Sequence, residues 1–498
     1  MLLFVYGLKS IWIPWLWPVF NQIFLMIFLS IWLRRSGVTT GAEWLATRFS
    51  GRGAAQSHAV IVVFAIILGL GYLAYGFIGI GKFIEIFIPW DAVSGYLPFQ
   101  IPLEYVPHFY GICFTLFAIF YSLIGGMLSI VWADVIQYAL MAISGVIIGI
   151  IAMNAVASNA LNVPDGWMSP FFGTRLHLDW SQIIPEVNEK ISSDGYSLFS
   201  IFFTMMLLKG IMVSMAGPAP TYDMQKILST RSPREAALMS GSVSLILMPF
   251  RYFMIAGFAV LAIIFYNQLD LKSGGNIDFE QILPAAISQF VPVGLMGILL
   301  AGLIAAFMGT FAGTLNATQA YIVNDIYLKF INPKADHNKV KIISWVSGIG
   351  MVLLSFVLGF FARDVNDILQ WIVSAAYGSY VVSNVLKWYW WRFNGTGFFW
   401  GMVGGLVPAL TFRFIFQGVL DLYTFPLMLL LALAGALIGT FMAPPTDENL
   451  LKAFYKNVRP WGFWKPIHDK VVAEDPGFQG NKDFKKDMFN VLIGIIWQ

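Results

Sequence analysis

The stretch LLAGLIAAFMGTFAGTLNATQAYIVNDIY, from Leu299 to Tyr327, decides the fold. It is apolar for long enough to cross a bilayer as a helix, meets Asn316 late in its course and carries an acidic residue, Asp325, near its end. Gly302, Ala306, Gly309 and Gly313 recur at helical spacing. In lipid there is little hydrophobic drive between helices, so a face of small residues lets a neighbouring backbone come close. The same spacing is expected to turn Thr310 and Thr314 toward that neighbour. Close packing alone accounts for such a face; a cation or solute passage is the reading that also uses its oxygens.

Composition sets the class. The 498 residues are 58% hydrophobic and 11% charged, against about 25% charged in ordinary soluble proteins. The chain is an integral membrane protein whose first partner is the lipid bilayer. A net charge of +3 without a basic block excludes nucleic acid as a partner. A single cysteine, Cys113, and five scattered histidines give no disulfide and no paired metal-ligand spacing.

Apolar runs of bilayer length give about eleven spans. They fall near 11–34, 57–88, 108–126, 127–156, 196–227, 234–266, 292–328, 338–362, 366–392, 397–416 and 420–443. Loops carrying Arg34, Arg35, Arg48 and Arg52, then Lys226, Arg231 and Arg234, then Lys329, Lys334, Lys339 and Lys341 alternate with loops such as 89–107, which has no Lys or Arg. The positive-inside rule makes the basic set cytoplasmic. The expected organisation is a membrane domain, 1–445, and a cytoplasmic tail, 446–498, in a plasma (inner) membrane of bacterial type. The last apolar piece, Phe489 to Gln498, is too short to span and reads as an interfacial helix or an interrupted span. Met1 opens into an apolar run without a charged leader, so no signal peptide accounts for an external start.

Three segments carry a resemblance. Phe120 to Gln137, FYSLIGGMLSIVWADVIQ, with Gly125, Gly126, Asp134 and Gln137, resembles the first signature of the sodium/solute symporter family, with Ala133 where a Thr is usual. The stretch Leu299 to Tyr327, through Asn316 and Asp325, resembles its second signature. Gly217 to Arg234, containing TYDMQKILSTRSPREA, is similar to the exit of the family's sixth core helix. The resemblance, to sodium–glucose-transporter-like members, covers roughly residues 10 to 445. It implies an all-α polytopic protein with a leucine-transporter-like inverted repeat of five plus five helices, binding solute and sodium at mid-membrane. On that plan the run at 11–34 is the second core helix. The family's first core helix is expected before Met1, with Leu2 to Tyr6 as its remnant.

The resemblance also implies site residues. Sodium is held in this fold by about five oxygens; those of the eighth core helix fall on the Ala306 carbonyl and on the hydroxyl positions Gly309 and Thr310. Gly309 has no side-chain oxygen, so one ligand is expected to be missing. On the substrate side, Met212 to Gly217 lacks the ligands of the sugar carriers, but Pro218 and Pro220 break the helix just after Ser214 and Gly217 and free backbone groups there. Lys209 lies in an otherwise uncharged span and is by default a functional candidate, against snorkelling or pairing with Glu85. Gln370 and Ser374 are candidates to line the passage, and Lys387 is expected to snorkel. Asp134, Asp223 and Asp325 are expected to cap helices or make gate contacts.

No phosphate-binding loop and no catalytic His, Cys or carboxylate cluster occurs, so an ATP-driven pump or an enzyme is unsupported. The expectation is a sodium-coupled symporter importing a small polar organic solute such as a sugar, sugar acid or carboxylate, with sodium and no organic cofactor. The alternative is a transport-inactive, receptor-like or regulatory homologue whose ion site is incomplete.

Overall fold

The computed structural model describes residues 1–13, 16–38, 40–220, 222–269, 271–273, 276–277, 279–361, 378, 380–416 and 419–497, with backbone alone at 16–19, 86, 121–130, 222, 272–273, 276, 280, 361, 413 and 421. Apart from a two-residue strand pair at Lys272–Ser273 and Asn276–Ile277, the ordered elements are helices. In chain order these are α1 (Leu2–Tyr6), α2 (Leu16–Phe24), α3 (Ser30–Arg35), α4 (Gly41–Arg48), α5 (Gly51–Phe87), α6 (Trp90–Ser94), α7 (Val106–Ser158), α8 (Glu186–Ser193), α9 (Phe199–Ala216), α10 (Tyr222–Leu228), α11 (Pro233–Ser242) and α12 (Met248–Ile264). Then follow α13 (Ile282–Phe290), α14 (Val293–Ala320), α15 (His337–Phe361), α16 (Gly395–Ile415), α17 (Asp421–Met442), α18 (Glu448–Val458), α19 (Lys465–Glu474) and α20 (Phe484–Trp497). Residues 380–389 are also helical.

The expected spans recur as these helices, and nine among the described residues are long and apolar enough to cross a membrane. Two of the expected eleven are outside that number. The run at 11–34 is a helix joined from α2 and α3 by a π-helical turn, Leu25–Leu29. The run at 366–392 falls largely outside the described residues. The spans expected at 108–126 and 127–156 are one helix, α7, with Gly125 and Gly126 inside it. At 1.5 Å per residue, α7 is roughly 80 Å long, beyond one bilayer; its apolar windows, Leu103–Phe120 and Val131–Ser158, each suffice to span.

Packing follows the small residues. The face of α14 that bears Gly302 and Gly309 lies on α7: a Cβ built on Gly302 would meet Met141 and Leu140 at 3.5 and 3.6 Å. Another side of α14 lies on α5, where Gly69 leaves room for Thr318 and Gly76 for Phe307. Close backbone approach of this kind replaces the hydrophobic drive that lipid does not provide.

At the other end, α1 is anchored to the long loop before α9. Trp167 and Trp180 donate their indole N–H groups to the Phe4 and Val5 carbonyls at 3.0 and 3.1 Å, and the Tyr6 hydroxyl donates to Asp194 Oδ2 at 2.6 Å. The buried Lys9 ammonium donates to the Gly166 and Ser169 carbonyls.

On the basic side, the tail is built into the main core. Leu451, Phe454, Tyr455, Val458, Trp461 and Trp464 belong to the same buried cluster as Trp32, Trp44 and Trp388. Backbone bonds join it to the end of the 380–389 helix: Phe463 N–H donates to the Tyr389 carbonyl at 2.7 Å, and Trp391 N–H to the Phe463 carbonyl at 3.3 Å. The final apolar piece forms α20, which lies against α2 and the following π turn, with Gly494 close to Ile23.

Candidate transport site

The signature residues meet where α7 crosses α14. A Cβ on Gly309 would lie 2.6 Å from Asp134 Oδ1 and 3.3 Å from Gln137 Oε1, so two side-chain oxygens from α7 occupy the space beside a glycine of α14. Asp134 and Gln137 are three residues apart, one helical turn, which puts both on the same face of α7. Gln137 Oε1 is buried without a hydrogen-bond partner among the described residues. On its other side Asp134 pairs with Lys226 of α10, Nζ to Oδ2 at 3.0 Å, both side chains being partly exposed. Hard cations take oxygen ligands, and the orphaned amide oxygen beside a carboxylate oxygen fits such a group.

This arrangement revises three expectations. The missing hydroxyl at Gly309 leaves a space that α7 fills with oxygens, rather than an unfilled ligand position. Thr310, expected to face the neighbouring helix, is exposed, while Ala306 is half-buried; one residue further along a helix is about 100° round it, so Gly309 and Thr310 cannot both point at α7. Asp134 lies well inside α7 and therefore does not cap it.

Asp325 does not cap a helix either. It sits in an 11-residue π-helical continuation of α14, Tyr321–Ile331, and pairs with His58 of α5, Oδ1 to Nε2 at 2.8 Å, with both side chains buried. Asn316 lines a cavity between this segment and α15, and its Nδ2 is buried without an acceptor among the described residues.

The break after α9 is present but occupied. Gly217 closes the helix with φ +85°, a left-handed value that suits glycine. Its freed carbonyls are then taken by aromatic donors from 380–389. The Tyr389 hydroxyl donates to Met215 O at 3.1 Å, the Trp388 indole to Ala216 O at 3.2 Å, and the Tyr380 hydroxyl to Pro218 O. Pro220 is buried beyond them. Ser214 Oγ donates to the Gly210 carbonyl at 2.6 Å, so its proton is already engaged within the helix. These carbonyls are thus not vacant acceptors, because three aromatic groups distant in sequence satisfy them.

Lys209 is buried at 6% exposure in α9, which excludes snorkelling; α9 packs against α2 and α17. On α2, Asn21 Oδ1 is buried without a partner among the described residues. Sequence reading passed over Asn21, although the amide pair Asn21-Gln22 in an apolar span was the available signal. Gln370 and Ser374 lie outside the described residues.

Lys387 is likewise buried, not snorkelling. Its Nζ donates to Asn384 Oδ1 at 2.6 Å and stands 4.6 Å from the Trp44 ring and 5.4 Å from the Trp388 ring. Cation–π attraction in such a box is worth about 2 kcal/mol when desolvated. Arg48, fully buried, donates to the carbonyls of Lys387, Trp390 and Trp391 and lies over the Trp464 ring at 4.9 Å.

Comparison with known proteins identifies the family and the fold. The model of the sodium:solute symporter family matches residues 2–405. The chain is 25% identical over 335 residues to a sodium/glucose cotransporter of Vibrio parahaemolyticus, covering 62% of this chain and 58% of that protein. It is 22% identical over 511 residues to sodium/glucose cotransporter 4 of Danio rerio, covering 93% and 71%. The chain thus spans under two thirds of the length of the Vibrio relative. Among solved structures, the substrate-bound outward-open state of a Na+-coupled sialic acid symporter superposes with a TM-score of 0.58 at 16% identity, over 89% of this chain and 90% of that one. At that identity the likeness concerns the fold, a leucine-transporter-like helical architecture.

Proposed function

The chain belongs to the sodium:solute symporter family, and from that premise we propose that it is a sodium-coupled importer of a small polar organic solute in a plasma membrane. It is a transporter and not an enzyme. The observation that carries the sodium reading is the convergence of Asp134 Oδ1 and Gln137 Oε1 on Gly309. A cation leaving mid-membrane toward the basic side meets a carboxylate there, and the Lys226 ammonium on the same carboxylate keeps its hold on the ion weak enough to release it. Asn21 on α2 and Lys209 on α9, two helices that pack together, are the polar groups this reading assigns to a sugar acid or carboxylate. The ends of the passage, including Gln370 and Ser374, belong to the same reading.

The test is uptake into vesicles holding the purified protein, with and without an inward sodium gradient, across sugars, sugar acids and small carboxylates. Asp134→Asn removes the charge while keeping the shape, and the sodium concentration for half-maximal uptake should rise about tenfold, the equivalent of 1.4 kcal/mol. Sodium-independent uptake, or an unchanged sodium dependence in the variant, would refute the assignment. The Asp134–Lys226 pair also favours a second reading, a transport-inactive or receptor-like homologue in which the ammonium stands permanently where an ion would bind. Solute binding without uptake at any sodium gradient is the outcome that selects it.

A further inference from the structure

The cavity between the end of α14 and the start of α15 has a volume of about 480 Å³ and is lined by Asn316, Asn324, His337, Lys341, Ser344 and Trp345. It opens where the π-helical segment Tyr321–Ile331 widens the helix, a local geometry often found at functional sites. Its rim is cationic and donor-rich. His337 and Lys341 are exposed, and Lys341 Nζ stands 5.9 Å from the Trp345 ring. Of the nearby acids, Asp325 is buried in its pair with His58, and Asp336 accepts the Lys339 backbone N–H at 3.0 Å at the start of α15. Deeper in the cavity, Asn316 Nδ2 is buried with nothing to donate to among the described residues.

Beside the rim, α15 presents an apolar face. Ile342, Trp345, Val346 and Ile349 follow helical spacing and are 61, 44, 60 and 44% exposed. From His337 to Ile349 is roughly 18 Å of helix rise, comparable with half the hydrocarbon thickness of a bilayer. A lysine and an imidazole at one end, an unsatisfied amide donor a few turns deeper and an apolar strip alongside match one molecule: a phosphate, then ester carbonyls, then acyl chains. A soluble anion would use the rim alone.

We propose that this groove binds an anionic phospholipid from the leaflet bordering the basic loops. Lys341 and His337 meet the phosphate, Asn316 donates to a glycerol ester carbonyl, and one acyl chain lies along Trp345 and Ile349. The assignment is independent of the transported solute and of sodium coupling.

The test uses the full chain in neutral detergent, with native mass spectrometry and thermal melting in phosphatidylglycerol, in phosphatidylcholine of the same chains, and in inorganic phosphate. Retained phosphatidylglycerol adducts and a higher melting temperature in that lipid alone are expected. A lysine near an anionic surface contributes about 1 kcal/mol, so Lys341→Ala should weaken the preference about fivefold. Lys334→Ala, in the loop just before α15 and outside the groove, should leave it intact; both lysines are exposed. Asn316→Leu should weaken binding of both lipids. Equal retention of the two lipids, equal losses in the two lysine variants, or phosphate stabilising as well as phosphatidylglycerol would each overturn the proposal.

Discussion

Arg48 and Lys387 are cations in the core, and the groups holding them are carbonyls, an amide and aromatic rings. A buried charge is tolerated only when its donors are satisfied. Arg48 meets this through Nε and Nη2, on carbonyls more than 300 residues away in sequence, and Lys387 through Asn384 on its own helix and the Trp44 ring of α4; the burial that Trp44 provides is what reading Lys387 as a snorkelling residue missed. Arg48→Met keeps much of the volume but removes the guanidinium donors from three carbonyls, of which Trp390 O keeps the Phe393 N–H. The expected loss is about 3 kcal/mol, read as a lower melting temperature in detergent, and Arg48→Lys should recover only part of it because a point charge cannot reproduce the fork. An unchanged melting temperature would mean that water satisfies these carbonyls. Gly309 shows the same limit of sequence reading: its missing hydroxyl was visible in the sequence, but Asp134 and Gln137 as its neighbours were not, since register between α7 and α14 is a tertiary property.

At the scale of elements, the long helices were the legible part. Apolar runs mark α5, α12, α14, α15, α16 and α17 because lipid demands a continuous apolar stretch with every backbone group bonded inside it. Two things were not legible. The division of the run at 126/127 into two spans does not appear in α7, where Gly125 and Gly126 lie inside one helix; glycine in a helix costs only about 1 kcal/mol and does not by itself end one. Short amphipathic helices such as α4, α18 and α19 escape a search for apolar runs, because only one face of each is buried. The proline-marked break after α9 was visible, whereas its caps were not. Trp388→Phe keeps the ring and deletes the N–H that reaches Ala216. It should cost about 1–3 kcal/mol and, if solute passes at this break, change the KM for solute while leaving the sodium dependence in place. Uptake kinetics at saturating and limiting sodium separate these effects, and a shift in sodium dependence alone would count against the solute assignment.

For the molecule as a whole, composition and two signatures were enough for class, family and fold, because each reflects a constraint on the entire chain. The role of the tail was not readable, since it rests on docking between distant surfaces. The tail inserts Phe454, Tyr455, Trp461 and Trp464 into the core shared by α3, α4 and the 380–389 helix, and Trp464 donates to the Trp388 carbonyl at 2.8 Å. Ending the chain after Ala443 would remove roughly 10 kcal/mol of apolar burial. Such a protein should melt markedly lower than the full chain and expose the Trp32 and Trp44 surfaces to a hydrophobic dye. Full retention of thermal stability would show that the tail is dispensable for folding.

The same aromatic cluster makes the protein its own optical gauge. Trp32, Trp44 and Trp461 sit with ring centroids 4.5 to 5.9 Å from one another or from Trp388, close enough for their excited states to couple. Trp388 also caps the α9 break. Any sliding of the 380–389 helix against the tail therefore alters both the hydrogen bond at the break and the spacing of the rings. Near-ultraviolet circular dichroism and indole emission should register any such sliding without an added label.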